Sequence, residues 1–363
     1  MVLSALGPRP NRTAARREEE ALISRRWAVS SALAAGLFAA LVLACACAQP
    51  TGTGTAPQGM PTTPSVTRTA PSAATTASPG ARTPLTFAVI GDYGTGDSHE
   101  AAVARLVASW APAFVITVGD DYYSSAGGAG TAKYDESTGA YYGDWLKDIH
   151  TTGRRLPAGR AAVNAFFPAL GNHDYSDATP SPGTYLSYFT LPGSAFVSTS
   201  GNERYYDFVE GPVHFFVLNS NTMEPDGTGS TSVQALWLKT QLAASTSSWN
   251  VVYDHHPPYS SDSTHGSTRY MQWPFASWGA DVVISGHAHT YERVARDGIV
   301  YFVDGLGGAT RYAFGNPVPG STARYDAGWG AQRVTATDAA MDFEFLSVDG
   351  AVIDRYRLSA LQP

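Results

Sequence analysis

The segment FVITVGDDYY, residues 114–123, decides the fold. Phe114 to Val118 form a short continuous apolar run that stops at Gly119-Asp120. A run of this length and composition reads as a buried strand, and the polar cluster behind it as the loop into which the strand opens. The same arrangement occurs four more times. TFAVI (86–90) precedes Gly91-Asp92, and FFPAL (166–170) precedes Gly171-Asn172-His173-Asp174. WNVVY (249–253) precedes Asp254-His255-His256, and DVVIS (281–285) precedes Gly286-His287-Ala288-His289. Helical patterns separate these runs at 98–110, 143–150 and 232–244, and strands alternating with helices specify an α/β domain. Two further strand groups, 204–209 with 213–219 and 298–303 followed by 333–358, have hairpin spacing and suggest a second sheet packed on the first.

In open α/β sheets ligands gather at the carboxyl ends of strands, because the chain turns there and loop side chains converge. A single Gly-Asp pair is an ordinary turn. Here, however, Asp92, Asp120, Asn172, His255, His287 and His289 are all metal-ligand types, and each is placed by a strand end. The chain's two cysteines, Cys45 and Cys47, precede the domain, so any ion it binds must use nitrogen and oxygen donors.

Taken in order, GDYG, GDDYY, GNHD, the His255 segment and GHAH resemble the motifs of the calcineurin-like metallophosphoesterases. Tyr123, three positions past Asp120, makes the second motif similar to that of the purple acid phosphatases, in their short single-domain form. The resemblance runs from about Thr86 to Arg293. It implies a four-layer αββα sandwich, with two mixed β-sheets flanked by helices and a dimetal site at the strand C-terminal ends. Asp92, Asp120, Tyr123 and His289 would hold one ion; Asp120, Asn172, His255 and His287 would hold the other, with Asp120 bridging. A phenolate favours Fe(III), while imidazole and amide oxygen suit a divalent Zn, Fe or Mn. The implied reaction is hydrolysis of phosphate monoesters by a metal-bound hydroxide. His173 and His265 would face the phosphate, and Asp174 would accept the ring proton of His173. A phosphodiesterase or nucleotide hydrolase would use the same donors, and a degenerate site would leave a surface lipoprotein that only binds.

Several positions stay open on sequence alone. Tyr122 and Tyr123 are adjacent, as are His255 and His256, so ligand choice within each pair rests on spacing. Asp121 departs from the family's asparagine and adds a carboxylate that could weaken phosphate binding; Asp254 also departs, without an account. Tyr291-Glu292-Arg293 resembles the plant-type enzymes. Tyr134, Tyr141, Tyr142, Trp145 and Tyr259 are candidates for the pocket rim, although such residues more often pack in the core or on the surface; His99, His150 and His214 read as structural.

The ends of the chain carry a different message. Residues 1–26 hold six Arg and three Glu, and an uncharged apolar run from Trp27 to Ala44 follows, the plan of an export signal over 1–47. Arg25-Arg26 gives it a twin-arginine character, and Val42-Leu-Ala-Cys45 resembles a lipobox that would lipidate Cys45 and make it a membrane anchor. A small-residue site near Ala46 or Ala48 would instead release a soluble protein, and an uncleaved span needs about 20 apolar residues. Residues 48–84, rich in Thr, Pro, Ala, Ser and Gly, read as a flexible linker to a catalytic domain at 85–363. Removing the leader's charges from the net −7 leaves about −10, the wrong sign for a nucleic-acid surface.

Overall fold

The structure, a computed structural model, describes residues 83–150, 161–176 and 180–360. The expected export signal and nearly all of the linker lie outside them. Among the described residues no helix is long and apolar enough to cross a membrane.

Among the described residues, thirteen strands alternate with four α-helices of at least four residues and several shorter helical turns. The strands are β1 (Leu85–Ile90), β2 (Phe114–Thr117), β3 (Phe166–Pro168), β4 (Tyr206–Glu210), β5 (Val213–Val217), β6 (Trp249–Tyr253) and β7 (Val282–Ser285), then β8 (Tyr291–Arg296), β9 (Ile299–Asp304), β10 (Ser321–Tyr325), β11 (Gly330–Ala336), β12 (Ala340–Ser347) and β13 (Val352–Ser359). The helices are α1 (Ser98–Ser109), α2 (Gly183–Tyr188), α3 (Val233–Ala244) and α4 (Phe275–Trp278). One sheet has the order β13-β12-β11-β1-β2-β3, and the other β10-β8-β9-β7-β6-β5-β4. Each carries a parallel core, β1-β2-β3 in the first and β5-β6-β7-β9 in the second, with antiparallel strands at the flanks.

Side-chain alternation explains the layering. Phe215, Val217, Val251, Tyr253 and Ile284 share one cluster with Phe87, Val89, Phe114 and Phe167 of the first sheet. Their neighbours Phe216, Leu218, Val252 and Val283 turn to the opposite face and pack with Ala235, Leu238 and Leu242 of α3. Period-two alternation thus puts one set between the sheets and the other under a helix. On the first sheet, Val103 and Val107 of α1 join the same core. The arrangement is the four-layer αββα sandwich. Between the sheets lies an aromatic cluster: Phe167 stacks on Phe208 at 3.9 Å, and Phe87 and Phe114 meet Phe215 edge-on at 5.2 and 5.4 Å. Each such ring contributes roughly 1.5–3 kcal/mol by burial alone.

Three sequence expectations are corrected. The segment 143–150 is not a helix: only Gly143–Trp145 form a helical turn, closing a run of short turns that starts at Ala132. Strand β9 does not pair with the 333–358 strands; it pairs with β7 and β8, while β11 to β13 extend the first sheet beside β1. The chain first adds β10 to the second sheet and crosses to the first only between β10 and β11, so sequence order misassigned them. Strand β8 was concealed within a motif, although Asp297-Gly298, with φ of 54° and 89°, marks a two-residue hairpin turn into β9. Tyr291 and Arg293 both reach Asp354 of β13, at 2.9 Å from the phenol and 2.7 Å from Nε, tying one sheet to the other. Glu292 accepts from the Ser261 amide at 2.6 Å, so this whole run is architectural.

Candidate dimetal site

The carboxyl ends of both parallel cores meet at one point. Loops after β1, β2 and β3 bring Asp92, Asp120, Tyr123 and Asn172; loops after β6 and β7 bring His255, His287 and His289. The first sheet therefore supplies only oxygen donors and the second only imidazoles. Backbone crowding makes this approach specific. A Cβ on Gly171 would sit 2.2 Å from Oδ1 of Asp120, and one on Gly286 would sit 2.6 Å from Oδ2 of Asp92. Asp92, Asp120 and His287 have φ of 54°, 57° and 66°, left-handed conformations that non-glycine residues hold only where the surroundings enforce them.

In the first group the Tyr123 hydroxyl lies 3.3 Å from Oδ1 of Asp92, 2.9 Å from Oδ2 of Asp120 and 3.2 Å from Nε2 of His289. Nδ1 of His289 donates to the Thr310 carbonyl at 2.6 Å, which leaves its Nε2 lone pair facing the group. One phenolic proton cannot satisfy three converging acceptors, whereas a cation can. In the second group Nε2 of His255 lies 3.0 Å from Oδ1 of Asn172, 3.4 Å from Oδ1 of Asp120 and 3.2 Å from Nδ1 of His287. Here too the tautomer is fixed, by donation from Nδ1 of His255 to the Val118 carbonyl at 2.8 Å. The two oxygens of Asp120 face different groups, as a bridging carboxylate requires. Against the burial that lowers it, the Asp92 carboxylate holds the His289 pKa above its ordinary value; Asp120 does the same for His255. The residues present thus fit two ions, with a hard, phenolate-bearing set on one side and an imidazole-rich set on the other.

The surroundings distinguish the members of each open pair. Tyr122 turns away, with the Lys133 ammonium 4.9 Å over its ring, so Tyr123 alone of the two enters the site. His255 faces the donors, whereas Nδ1 of His256 is turned to Oγ of Ser220 at 2.8 Å. The His173 amide donates to Oδ1 of Asp120 at 2.8 Å and its ring lies 4.3 Å from that of Tyr123, at the mouth of the site. His265 is exposed and lies over His287, with ring centroids 4.0 Å apart.

Asp174 does not accept the ring proton of His173. Its Oδ2 accepts amides of Gly171 at 2.8 Å and Asp120 at 3.1 Å, and its Oδ1 accepts the Tyr134 hydroxyl at 3.1 Å. It shapes the loops instead, with burial and then Asp120 raising its pKa to about 7. Asp121 adds no charge to the mouth: it is fully buried, accepts from Thr117 at 2.5 Å, and burial followed by Asp174 raises its pKa well above the carboxylate range. Asp254 likewise accepts from Ser285 at 2.6 Å, and burial raises it to about 7. The aromatic candidates take the packing alternative rather than the rim. Tyr134 and Tyr142 are wholly buried, Tyr141 and Trp145 pack against the core, and Tyr259 packs edge-on to Tyr301.

The sequence reading missed Tyr312, whose ring stacks on His289 at 4.1 Å and 8°. It borders a cavity of about 630 Å³ lined also by Ser125, Arg311 and Trp329. His99, read as structural, lines this cavity and stacks on Trp329 at 3.6 Å. A signal was present in the glycine-rich Gly305-Leu-Gly-Gly308 after β9, whose Gly307 and Ala309 amides donate to the Gly91 and Asp92 carbonyls at 2.9 Å.

Two facing mixed sheets that bring two groups of oxygen and imidazole donors together around Asp120 make an α/β protein with the donors that a pair of metal ions needs. A family model described as calcineurin-like phosphoesterase matches residues 85–291, and the chain belongs to that family. Purple acid phosphatase 23 of Arabidopsis thaliana is 27% identical over 237 residues, 59% of this chain and 48% of that protein. The chain spans about half the length of the curated relatives it matches. Among solved structures, a purple acid phosphatase from yellow lupin seeds superposes with a TM-score of 0.57 at 16% identity, over 78% of this chain and 55% of that one. GAP50, the anchor in the inner membrane complex of Plasmodium, superposes with a TM-score of 0.56 at 17% identity, over 77% and 90%. These two likenesses concern the fold.

Proposed function

We propose that the chain is an exported, acid-phosphatase-like enzyme that hydrolyses small phosphate monoesters on an Fe(III)–M(II) pair, where M is Zn, Fe or Mn. The observation that carries this is the double donor group sharing Asp120, with His173 at its mouth. Two ions held there would activate a water, neutralise the phosphate and stabilise both attacking and leaving oxygens of an in-line displacement. Asp92, Asp120 and Tyr123 would anchor one ion, and Asp120, Asn172, His255 and His287 the other. His289 and His255 enter as oriented neutral donors because carbonyls hold their outer nitrogens. His173, free of Asp174, is placed to give a proton to the departing alkoxide, and His265 to bind the phosphate from the His287 side. The likeness to purple acid phosphatases supports the monoester reading. The leader, with its twin arginines and lipobox at Cys45, supports export to the cell surface or beyond.

The cavity beside Tyr312 leaves room for a large alcohol portion, which favours nucleotides or diesters as the second reading. Purified protein supplied with Fe and Zn or Mn is expected to turn over a simple aryl monophosphate faster than the corresponding diester. The reverse ranking selects the second reading, and no hydrolysis of either removes both.

A further inference from the structure

His255, His256 and His287 lie close enough together to hold an ion on distance alone. Hydrogen-bond accounting at Ser220 separates His256 from the other two. Oγ of Ser220 accepts the His255 amide at 3.2 Å and the His256 amide at 2.9 Å, which occupies both of its lone pairs. The same oxygen lies 2.8 Å from Nδ1 of His256. Its remaining capacity is one O–H, so Ser220 donates and Nδ1 accepts. A neutral imidazole that accepts at Nδ1 carries its proton at Nε2. A nitrogen that carries a proton cannot ligate a metal, and Nδ1 is spent on Ser220. Among the described residues Nε2 has no protein partner. The ring is partly exposed and lies across His287, with centroids 4.4 Å apart, on the side of the second donor group.

We propose that His256 is a neutral donor whose Nε2–H binds a phosphate oxygen of the substrate beside the second ion, and that Ser220 is the positioning residue that fixes its tautomer. The inference rests on the phosphatase reading above and adds a substrate contact outside the donor set. A neutral donor suits this place, because a third positive centre there would repel the ions.

The test uses the full chain loaded with Zn and labelled with ¹⁵N in its histidine rings. The ring spectrum of the unaltered protein is expected to show His256 as the unligated Nε2–H tautomer, with that resonance moving when inorganic phosphate is added. An Nδ1–H ring with metal on Nε2 would overturn the proposal without any variant. His256→Ala is expected to keep its metal content and to weaken inorganic phosphate binding on the order of 10-fold, the scale of one hydrogen bond to a charged group. His256→Gln, which keeps a terminal N–H donor, should recover most of that loss. Loss of one ion per chain in His256→Ala, or unchanged phosphate affinity, would overturn it. If the unaltered protein binds no phosphate, the phosphatase reading falls too; normal binding that is indifferent to His256→Ala removes this inference alone.

Discussion

Asp92, Asp120 and His287 pass through left-handed backbone to reach the site, and each is then held by further bonds. The His287 amide donates to Oδ2 of Asp92 at 2.8 Å, so two candidate donors fix each other before any ion arrives. Side chains prepared in this way should show separable effects when removed. Asn172→Ala is expected to lower metal content from two ions towards one, measured by elemental analysis, because only the second group loses a donor. Tyr123→Phe should abolish the visible absorption of the iron-loaded protein, which a phenolate donor produces; persisting colour would require a different phenolate. His173→Ala should lower kcat roughly 10²- to 10⁴-fold while leaving metal content intact, as expected for loss of a general acid. The donor types were legible in the sequence because each follows its own apolar run. The partners of Asp174 and Asp121 were not, because a carboxylate's direction depends on Tyr134 and Thr117, which arrive from elsewhere in the chain.

At the scale of elements, strands were easier to read than helices. Buried parallel strands such as β2 and β7 are uniformly apolar and end at polar clusters, so sequence alone places them. The helical turns of 132–145 lack a continuous amphipathic stripe and owe their shape to packing of Tyr134 and Tyr142 in the core. Helix α1 is capped at Asp97, whose side chain accepts from the His99 and Glu100 amides. Its first turn also buries Glu100 completely, with one oxygen accepting from the Gly96 amide at 2.7 Å and the other unpartnered. Burial raises the Glu100 pKa well above the carboxylate range. The folded state therefore keeps a proton that the unfolded chain releases above its ordinary value near 4.5, and this residue's contribution to stability declines as pH rises from there. Glu100→Gln should remove that slope: urea unfolding is expected to show the variant gaining on the unaltered protein between pH 5 and pH 8. An equal difference at both pH values would mean that Glu100 folds in its charged form.

Across the whole molecule, the site is a junction between two sheets that also meet through aromatic packing, the Tyr291–Arg293–Asp354 contacts and the Tyr206 and Tyr253 hydroxyls donating to carbonyls of β3. Ions bound there would cross-link the sheets, so chelation should lower the melting temperature, with a loss of about 4 kcal/mol if the working metal concentration is 1,000 times Kd. Phe114→Ala, which opens the aromatic cluster between the sheets, should cost roughly 3–5 kcal/mol in chemical unfolding. The assignment of strands to sheets was the least legible feature, because β10 and β11 are consecutive in the sequence yet belong to different layers. The division of donors between the layers also sets an order in time. A growing chain has all of its oxygen donors by residue 172, and none of the imidazoles of the two donor groups before residue 255. β1, which carries Asp92, gains its antiparallel neighbour β11 only at residues 330–336. An emerging chain therefore offers an ion only carboxylate, amide and phenol contacts until the second sheet is made, so the complete nitrogen-bearing set becomes available late, and capture of the metals is an event of the finished fold.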